Sequence, residues 1–307
     1  MIEAEGLSKR YGSTVAVNGL SFSVRPGVVT GFLGPNGSGK STTMRMIMGL
    51  DHPDAGGVSI DGQRYHDLRW PLREVGALLE AKALHPGRSA YNHLLSMAQS
   101  NSIPRSRVDE VLAMVGLTAV AKRKAGKFSL GMGQRLGIAS ALLGDPGVLL
   151  FDEPINGLDP EGILWVRTLL KSLAAEGRTI LVSSHLMSEM ALTATDLVVI
   201  GRGELIADTT VADFIASNTE ATMLVRSPDL AGLSAAIQAI GGDVRPGEGD
   251  SLLVTKVGAA AIGDAALAAG ISIHELRELQ ASLEEVFMDL TSDAVDFHGT
   301  TGATVTP

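Results

Sequence analysis

The feature that most constrains this 307-residue chain is the run Gly34-Pro35-Asn36-Gly37-Ser38-Gly39-Lys40-Ser41. It lies between an apolar, β-branched stretch, Val28-Val29-Thr30-Gly31-Phe32-Leu33, and a stretch from Ser41 to Leu50 with Met44, Ile47 and Met48 on one side of a helix. Glycines let consecutive backbone N–H groups curl around a phosphate, and a helix starting at the end of the loop adds a favourable dipole. In the spacing G-x4-G-K-S, met by Gly34, Gly39, Lys40 and Ser41, the lysine reaches β- and γ-phosphates and the serine hydroxyl ligates Mg²⁺. With glycine at about 7% of average usage, a chance match in such a chain has odds on the order of one in a hundred. The strand–loop–helix setting lowers those odds further. Strand-like and helix-like segments alternate through about residue 217, which predicts an α/β architecture.

A phosphate loop alone leaves kinases, GTPases and many ATPases open. A guanine reader needs an Asn/Thr-Lys-x-Asp segment, and the nearest match, Thr255-Lys256-Val257-Gly258, lacks the aspartate. Val148-Leu149-Leu150-Phe151 reads as a strand buried on both faces, and it ends in Asp152-Glu153. At that position Asp152 holds Mg²⁺ through water and Glu153 polarises the attacking water as a general base. Thr179-Ile180-Leu181-Val182-Ser183 is a second such strand, followed by His185. Strand ends in such sheets line the ligand crevice, so His185 is a candidate contact to the γ-phosphate.

Four elements in order, GPNGSGKST (ending at Thr42), the LLFDEP strand, Asn156-Gly157-Leu158-Asp159-Pro160 and Ser183-Ser184-His185, resemble the nucleotide-binding subunit of an ABC transporter. The resemblance covers roughly residues 1–217. It implies ATP and Mg²⁺ as ligands, and Tyr11, in Lys9-Arg10-Tyr11-Gly12, as the residue that stacks on adenine. The family's signature usually reads LSGGQ, and counting back from Asp152 with Gln134-Arg135 as anchor identifies it as Phe128-Ser129-Leu130-Gly131-Met132. In that register Ser129 keeps the serine that binds γ-phosphate and Gly131 the second glycine. Leu130 replaces the first glycine and Met132 the glutamine. In the family this segment completes the site of the opposite subunit, with Asp159 communicating between the two. The loop that usually carries a glutamine to Mg²⁺ is Gly76-Ala77-Leu78-Leu79-Glu80, and Glu80 accepts or binds metal but does not donate as an amide does. These departures, with Ala281-Ser282-Leu283-Glu284-Glu285-Val286-Phe287, resemble the bacitracin-resistance and antibiotic or peptide export branch.

The expected fold is therefore a P-loop ABC-type ATPase core over 1–217, with an antiparallel β subdomain in the first thirty residues and a helical insertion at about 85–128. The order β-α-β-β-α-β over 220–291 predicts a small ferredoxin-like α+β domain, with Ile271-Ser272-Ile273 as its last strand and a helix beginning at a Ser282/Glu285 capping box. Residues 292–307 are small, polar and unpatterned, and a disordered tail is expected there. No window approaches the ~18 consecutive apolar residues of a membrane span. A transporter role therefore requires a separate polytopic permease, with this chain as a homodimer or heterodimer on the inner face of the membrane. The amino terminus lacks signal-peptide patterning, and the absence of cysteine is compatible with a reducing cytosol. A net charge of −9 argues against nucleic acid as a partner. The competing reading is a non-transport ABC ATPase acting on ribosomes or nucleic acid, although a second cassette, a coiled-coil insertion or basic arms are not visible.

Overall fold

The computed structural model of the protein describes residues 1–80, 84–218, 222–279 and 282–291. The chain forms two compact units, Met1–Val211 with the described residues from Phe287 onward, and Ala212–Val286. The tail expected at 292–307 lies outside the described residues.

The first unit runs β1 (Ile2–Tyr11), β2 (Thr14–Val24), β3 (Val29–Leu33), α1 (Lys40–Ile47), β4 (Ala55–Ile60), α2 (Pro71–Glu74), β5 (Val75–Leu78) and α3 (Ala90–Ser100). It continues through α4 (Arg105–Met114), α5 (Leu130–Leu142), β6 (Val148–Asp152), α6 (Pro160–Ala175), β7 (Thr179–Ser183), α7 (Met187–Thr193), β8 (Asp196–Gly201) and β9 (Glu204–Thr210). Six strands form one sheet in the order β5-β6-β7-β3-β8-β9. All are parallel except β9, which closes the edge antiparallel to β8. Every residue of β7 and β8 is buried, as are Val148–Phe151 of β6. Burial on both faces is why these strands read as continuous apolar runs rather than as alternation. The pairings Phe32–Ser183 and Ser183–Asp152 bring the carboxyl ends of β3, β7 and β6 level with one another. That register fixes where the glycine loop and the two carboxylates meet.

A second sheet, β2-β1-β4, is antiparallel. Its Leu7, Val17, Leu20 and Phe22 share a core with Phe32 of the central sheet and Met44 and Ile47 of α1. The rings of Phe22 and Phe32 stack at 5.5 Å, an offset-stacking distance. Thus α1 is clamped between two sheets, and the loop preceding it starts from a rigid base. Between Leu78 and Val148 the described residues contain helices and 3₁₀ turns but no strand. Ser89 caps α3, its hydroxyl accepting from the Asn92 N–H at 3.2 Å, while Leu94, Ala98, Val108 and Val111 are fully buried.

In the second unit α8 (Val211–Ser217) precedes β10 (Thr222–Arg226), α9 (Leu230–Ala239), β11 (Asp243–Pro246), β12 (Ser251–Thr255), α10 (Ala259–Ala268) and β13 (Glu275–Leu279). The strands form an antiparallel sheet in the order β11-β12-β10-β13, the ferredoxin-like arrangement. Met223, Val225 and Val254 of the sheet pack on Leu233, Ile237 and Ile262 of the helices. The last strand lies later than its apolar alternation predicts. The Ile271 N–H is used to close α10 on the Ala266 carbonyl, and pairing with β10 begins only once the His274 N–H reaches Arg226. Ile271 and Ile273 contribute to the core from a loop. Helix α11 (Leu283–Thr291) has its capping box: the Ser282 N–H donates to Glu285 Oε2 (2.8 Å) and the Glu285 N–H to Ser282 Oγ (3.1 Å). Leu283, Val286 and Phe287 are buried, but Leu290, the fourth position of the predicted stripe, is 39% exposed.

Candidate functional site

The loop between β3 and α1 is shaped by two glycines that admit no side chain. A Cβ on Gly34 would stand 2.4 Å from Ser38 Oγ and 2.5 Å from the Ile200 carbonyl oxygen. Gly39, at φ +102°, would place one 2.4 Å from the Ala16 carbonyl oxygen. The Ser38 N–H donates to Pro35 O (3.2 Å), and the Ser38 carbonyl accepts from the Gly203 N–H (3.0 Å). Lys40 opens α1, is 8% exposed, and donates its ammonium protons to the carbonyls of Gly34 (2.6 Å) and Pro35 (3.0 Å). Burial lowers the Lys40 pKa, and the carboxylates of Glu153 and Asp152 counteract that shift by favouring the charged form.

The two carboxylates are held by different partners. Ser41 Oγ donates to Asp152 Oδ2 at 2.8 Å, and the Ser183 hydroxyl donates to Asp152 Oδ1. Glu153, just past the end of β6, has φ +51°, a left-handed conformation uncommon for a non-glycine residue. Its N–H donates to Ser183 Oγ (3.0 Å), its carbonyl accepts from Gln134 Nε2 (2.9 Å), and its Oε2 lies 2.7 Å from His185 Nδ1. A cavity of about 600 Å³ brings together Asn36, Gly37, Gly39, Lys40, Ser41, Thr42, Glu80, Asp152 and Glu153. Ala16, Leu79, Leu130, Gln134 and Asn156 complete its wall.

Other residues singled out in the sequence lie outside that wall. Tyr11, 47% exposed, donates its hydroxyl to Asp51 Oδ2 at 2.8 Å, and Lys9 Nζ sits 5.5 Å from the ring centre. Desolvation and the Asp51 hydrogen bond raise the Tyr11 pKa, while a contact with Thr42 of α1 opposes the shift. Arg45 and Tyr11 together hold Asp51 below the ordinary carboxylate value. Ser129 is exposed and caps α5, accepting from the Met132 N–H at 3.2 Å. Asp159 is likewise exposed and caps α6, accepting from the Gly162 N–H at 2.9 Å. The two segments adjoin: a Cβ on Gly131 would meet Leu158 at 3.2 Å, and one on Gly157 would meet the Leu130 side chain at 2.1 Å. Of the stretch from Gly76 to Glu80, Gly76–Leu78 belong to strand β5, and Glu80, which does line the cavity, lies two residues beyond its end.

Ser183 and Gln134 are contacts the sequence alone did not single out. Ser183 was visible only as part of the Ser183-Ser184-His185 string, and Gln134 only as an anchor for register. Neither residue type carries a signal of its own; both are buried, at 0% and 2% exposure, where a polar side chain needs a partner.

A family model described as "ABC transporter" matches residues 17–156, and one described as "Domain of unknown function (DUF8746)" matches residues 221–284. An uncharacterised ABC transporter ATP-binding protein of Bacillus subtilis is 36% identical over 95% of this chain and 96% of its own length. The bacitracin transport ATP-binding protein of Bacillus licheniformis is 42% identical over 68% of this chain and 69% of its own. Among solved structures, a dimeric bacterial ABC transporter cassette aligns with a TM-score of 0.64 at 27% identity, over 69% of this chain and 99% of that one. With its phosphate loop, carboxylate pair and near full-length kinship, the chain belongs to the ATP-binding, ATP-hydrolysing proteins of ABC transporters.

Proposed function

We propose that this protein is the ATPase subunit of an exporter for an antibiotic, drug or peptide, acting as a dimer on a separate polytopic membrane permease. The observation that carries the dimer is the division of the predicted site residues. Lys40, Ser41, Asp152 and Glu153 line one cavity, whereas Ser129 and Asp159 are exposed caps on α5 and α6 outside it. A second copy offering Ser129 and Gly131 to the γ-phosphate completes each site. The dimeric cassette among the similar solved structures supports this reading. No helix among the described residues is long and apolar enough to cross a membrane, which supports a permease carried on a separate chain. The bacitracin transport relative supports export of an antibiotic-like cargo.

Within one subunit, Lys40 neutralises the β- and γ-phosphates, the loop N–H groups cradle them, and Tyr11 stacks on the adenine. Glu153 takes the proton of the attacking water, with His185 beside its carboxylate at 2.7 Å orienting that group toward the γ-phosphate. Among the described residues no group of three or more His, Cys, Asp or Glu forms a metal site by itself. The oxygens of Ser41 and Asp152, 2.8 Å apart, with Glu80 on the same cavity, suit a hard ion that arrives with the nucleotide. Ser41, Asp152 and Glu80 would hold Mg²⁺ there, and the ion would supply charge neutralisation to the bound triphosphate. Closure of the dimer on ATP and reopening on hydrolysis drive the permease through the helical insertion.

The test is affinity capture from native membranes with tagged Glu153→Gln protein and ATP. Recovery of a polytopic membrane protein is expected. Recovery of ribosomes instead contradicts the transport reading.

A further inference from the structure

Glu153 is pinned from both sides of its Cα atom by side chains of two different elements. Its N–H donates to Ser183 Oγ on β7 at 3.0 Å, and its carbonyl accepts from Gln134 Nε2 on α5 at 2.9 Å. Both supporting side chains are buried, at 0% and 2% exposure. The residue between them holds φ +51°, a conformation that persists in a non-glycine residue only where the surroundings over-determine it. The Asn156 N–H also donates to the Glu153 carbonyl, at 3.2 Å, within the turn that follows the strand. Ser183 uses its one proton on Asp152 and accepts from the Glu153 N–H, so a single hydroxyl sets both carboxylates in one register. The two backbone bonds fix the direction of the Glu153 Cα–Cβ bond, and therefore the place its carboxylate reaches in the cavity.

We propose that Gln134 is a positioning residue for ATP hydrolysis, holding Glu153 in its left-handed conformation and linking helix α5 to the carboxylate of the same chain. Ser129 caps that helix, roughly a turn and a half before Gln134. When the capped end of α5 engages the nucleotide of the opposing subunit, the helix carries that engagement through Gln134 to the Glu153 carbonyl. Without the Gln134 amide, Glu153 is free to relax toward ordinary dihedrals and swing its carboxylate off the attacking water.

This inference rests on the proposed role of Glu153 as the base, and the experiment separates the two. The purified full chain is compared with Gln134→Met, Gln134→Glu, Glu153→Gln and the double variant Gln134→Met/Glu153→Gln, by steady-state ATPase kinetics and equilibrium ATP binding. Gln134→Glu keeps the shape of the side chain but replaces the donor, so it serves where the methionine variant folds poorly. Both Gln134 variants are expected to lose about tenfold in kcat, the equivalent of one hydrogen bond, with ATP affinity within about twofold of the parent. In the Glu153→Gln background the Gln134→Met change is expected to cost nothing further, because the group it positions is gone. An equal added loss in the double variant, or a raised KM with unchanged kcat, overturns the positioning role. Full turnover by Glu153→Gln alone instead overturns the assignment of the base.

Discussion

The phosphate loop offers a matched pair of substitutions whose costs differ for one geometric reason. Gly37 and Gly39 both have left-handed φ values, +82° and +102°. A Cβ on Gly37 meets nothing within 4 Å, whereas one on Gly39 lies 2.4 Å from the Ala16 carbonyl oxygen. Gly37→Ala therefore carries only the dihedral strain, about 1 kcal/mol. Gly39→Ala adds an overpacking cost of about 2 kcal/mol, for a total near 3. For a unit of this size each 1 kcal/mol moves the melting temperature by about 2–4 °C, so the expected losses are roughly 2–4 °C and 6–12 °C. Activity diverges more sharply. Relief of the Gly39 clash requires the loop to shift by close to an ångström, and a displacement of that size costs on the order of 100-fold in rate. Thermal unfolding followed by circular dichroism, with phosphate release on the same samples, checks both values. A Gly39→Ala protein that melts and turns over like Gly37→Ala contradicts a steric role for Gly39 against the Ala16 carbonyl.

Lys40→Ala removes the buried cation that faces Asp152 and Glu153, and phosphate release is expected to fall by at least about 100-fold. Tyr11→Ala is expected to raise the KM for ATP about fivefold with little change in kcat, while Tyr11→Phe keeps the ring and most of the affinity; titration with ATP distinguishes the two. Asp51 has its pKa lowered by Arg45 and Tyr11 from an ordinary 3.8, so its contribution to stability is present above that value and is lost as pH falls below it. Thermal melts of Asp51→Asn between neutral pH and pH 3 are expected to show a shallower acid decline than the parent.

What the sequence made legible were the elements whose chemistry needs consecutive residues. The loop from Gly34 to Ser41 imposes backbone conformations that only its own residue types supply, so it reads directly. Val148–Phe151 reads as a strand because both of its faces are buried. The order of the second unit was legible from periodicity, but not the start of β13. There Ile271 and Ile273 have strand-like alternation, yet the backbone first completes a helix cap. Gly76–Leu78 is a loop only by resemblance to the family, whereas the three residues pair with β6 as an edge strand too short to establish a period of its own. Gln134 and Ser183 stayed hidden for another reason. Their significance comes from what lies across a packed interface, and no spacing along the chain encodes that Gln134 Nε2 reaches the Glu153 carbonyl.

In the proposed assembly each nucleotide site is finished by a second copy of the chain. Light scattering of Glu153→Gln protein at saturating ATP and Mg²⁺ tests it directly, with Glu153→Gln/Ser129→Arg beside it. The mass of the first is expected to double on adding ATP, and the second is expected to remain monomeric while still binding nucleotide. A Glu153→Gln protein that binds ATP yet stays monomeric, or a Ser129→Arg variant that dimerises equally well, contradicts it.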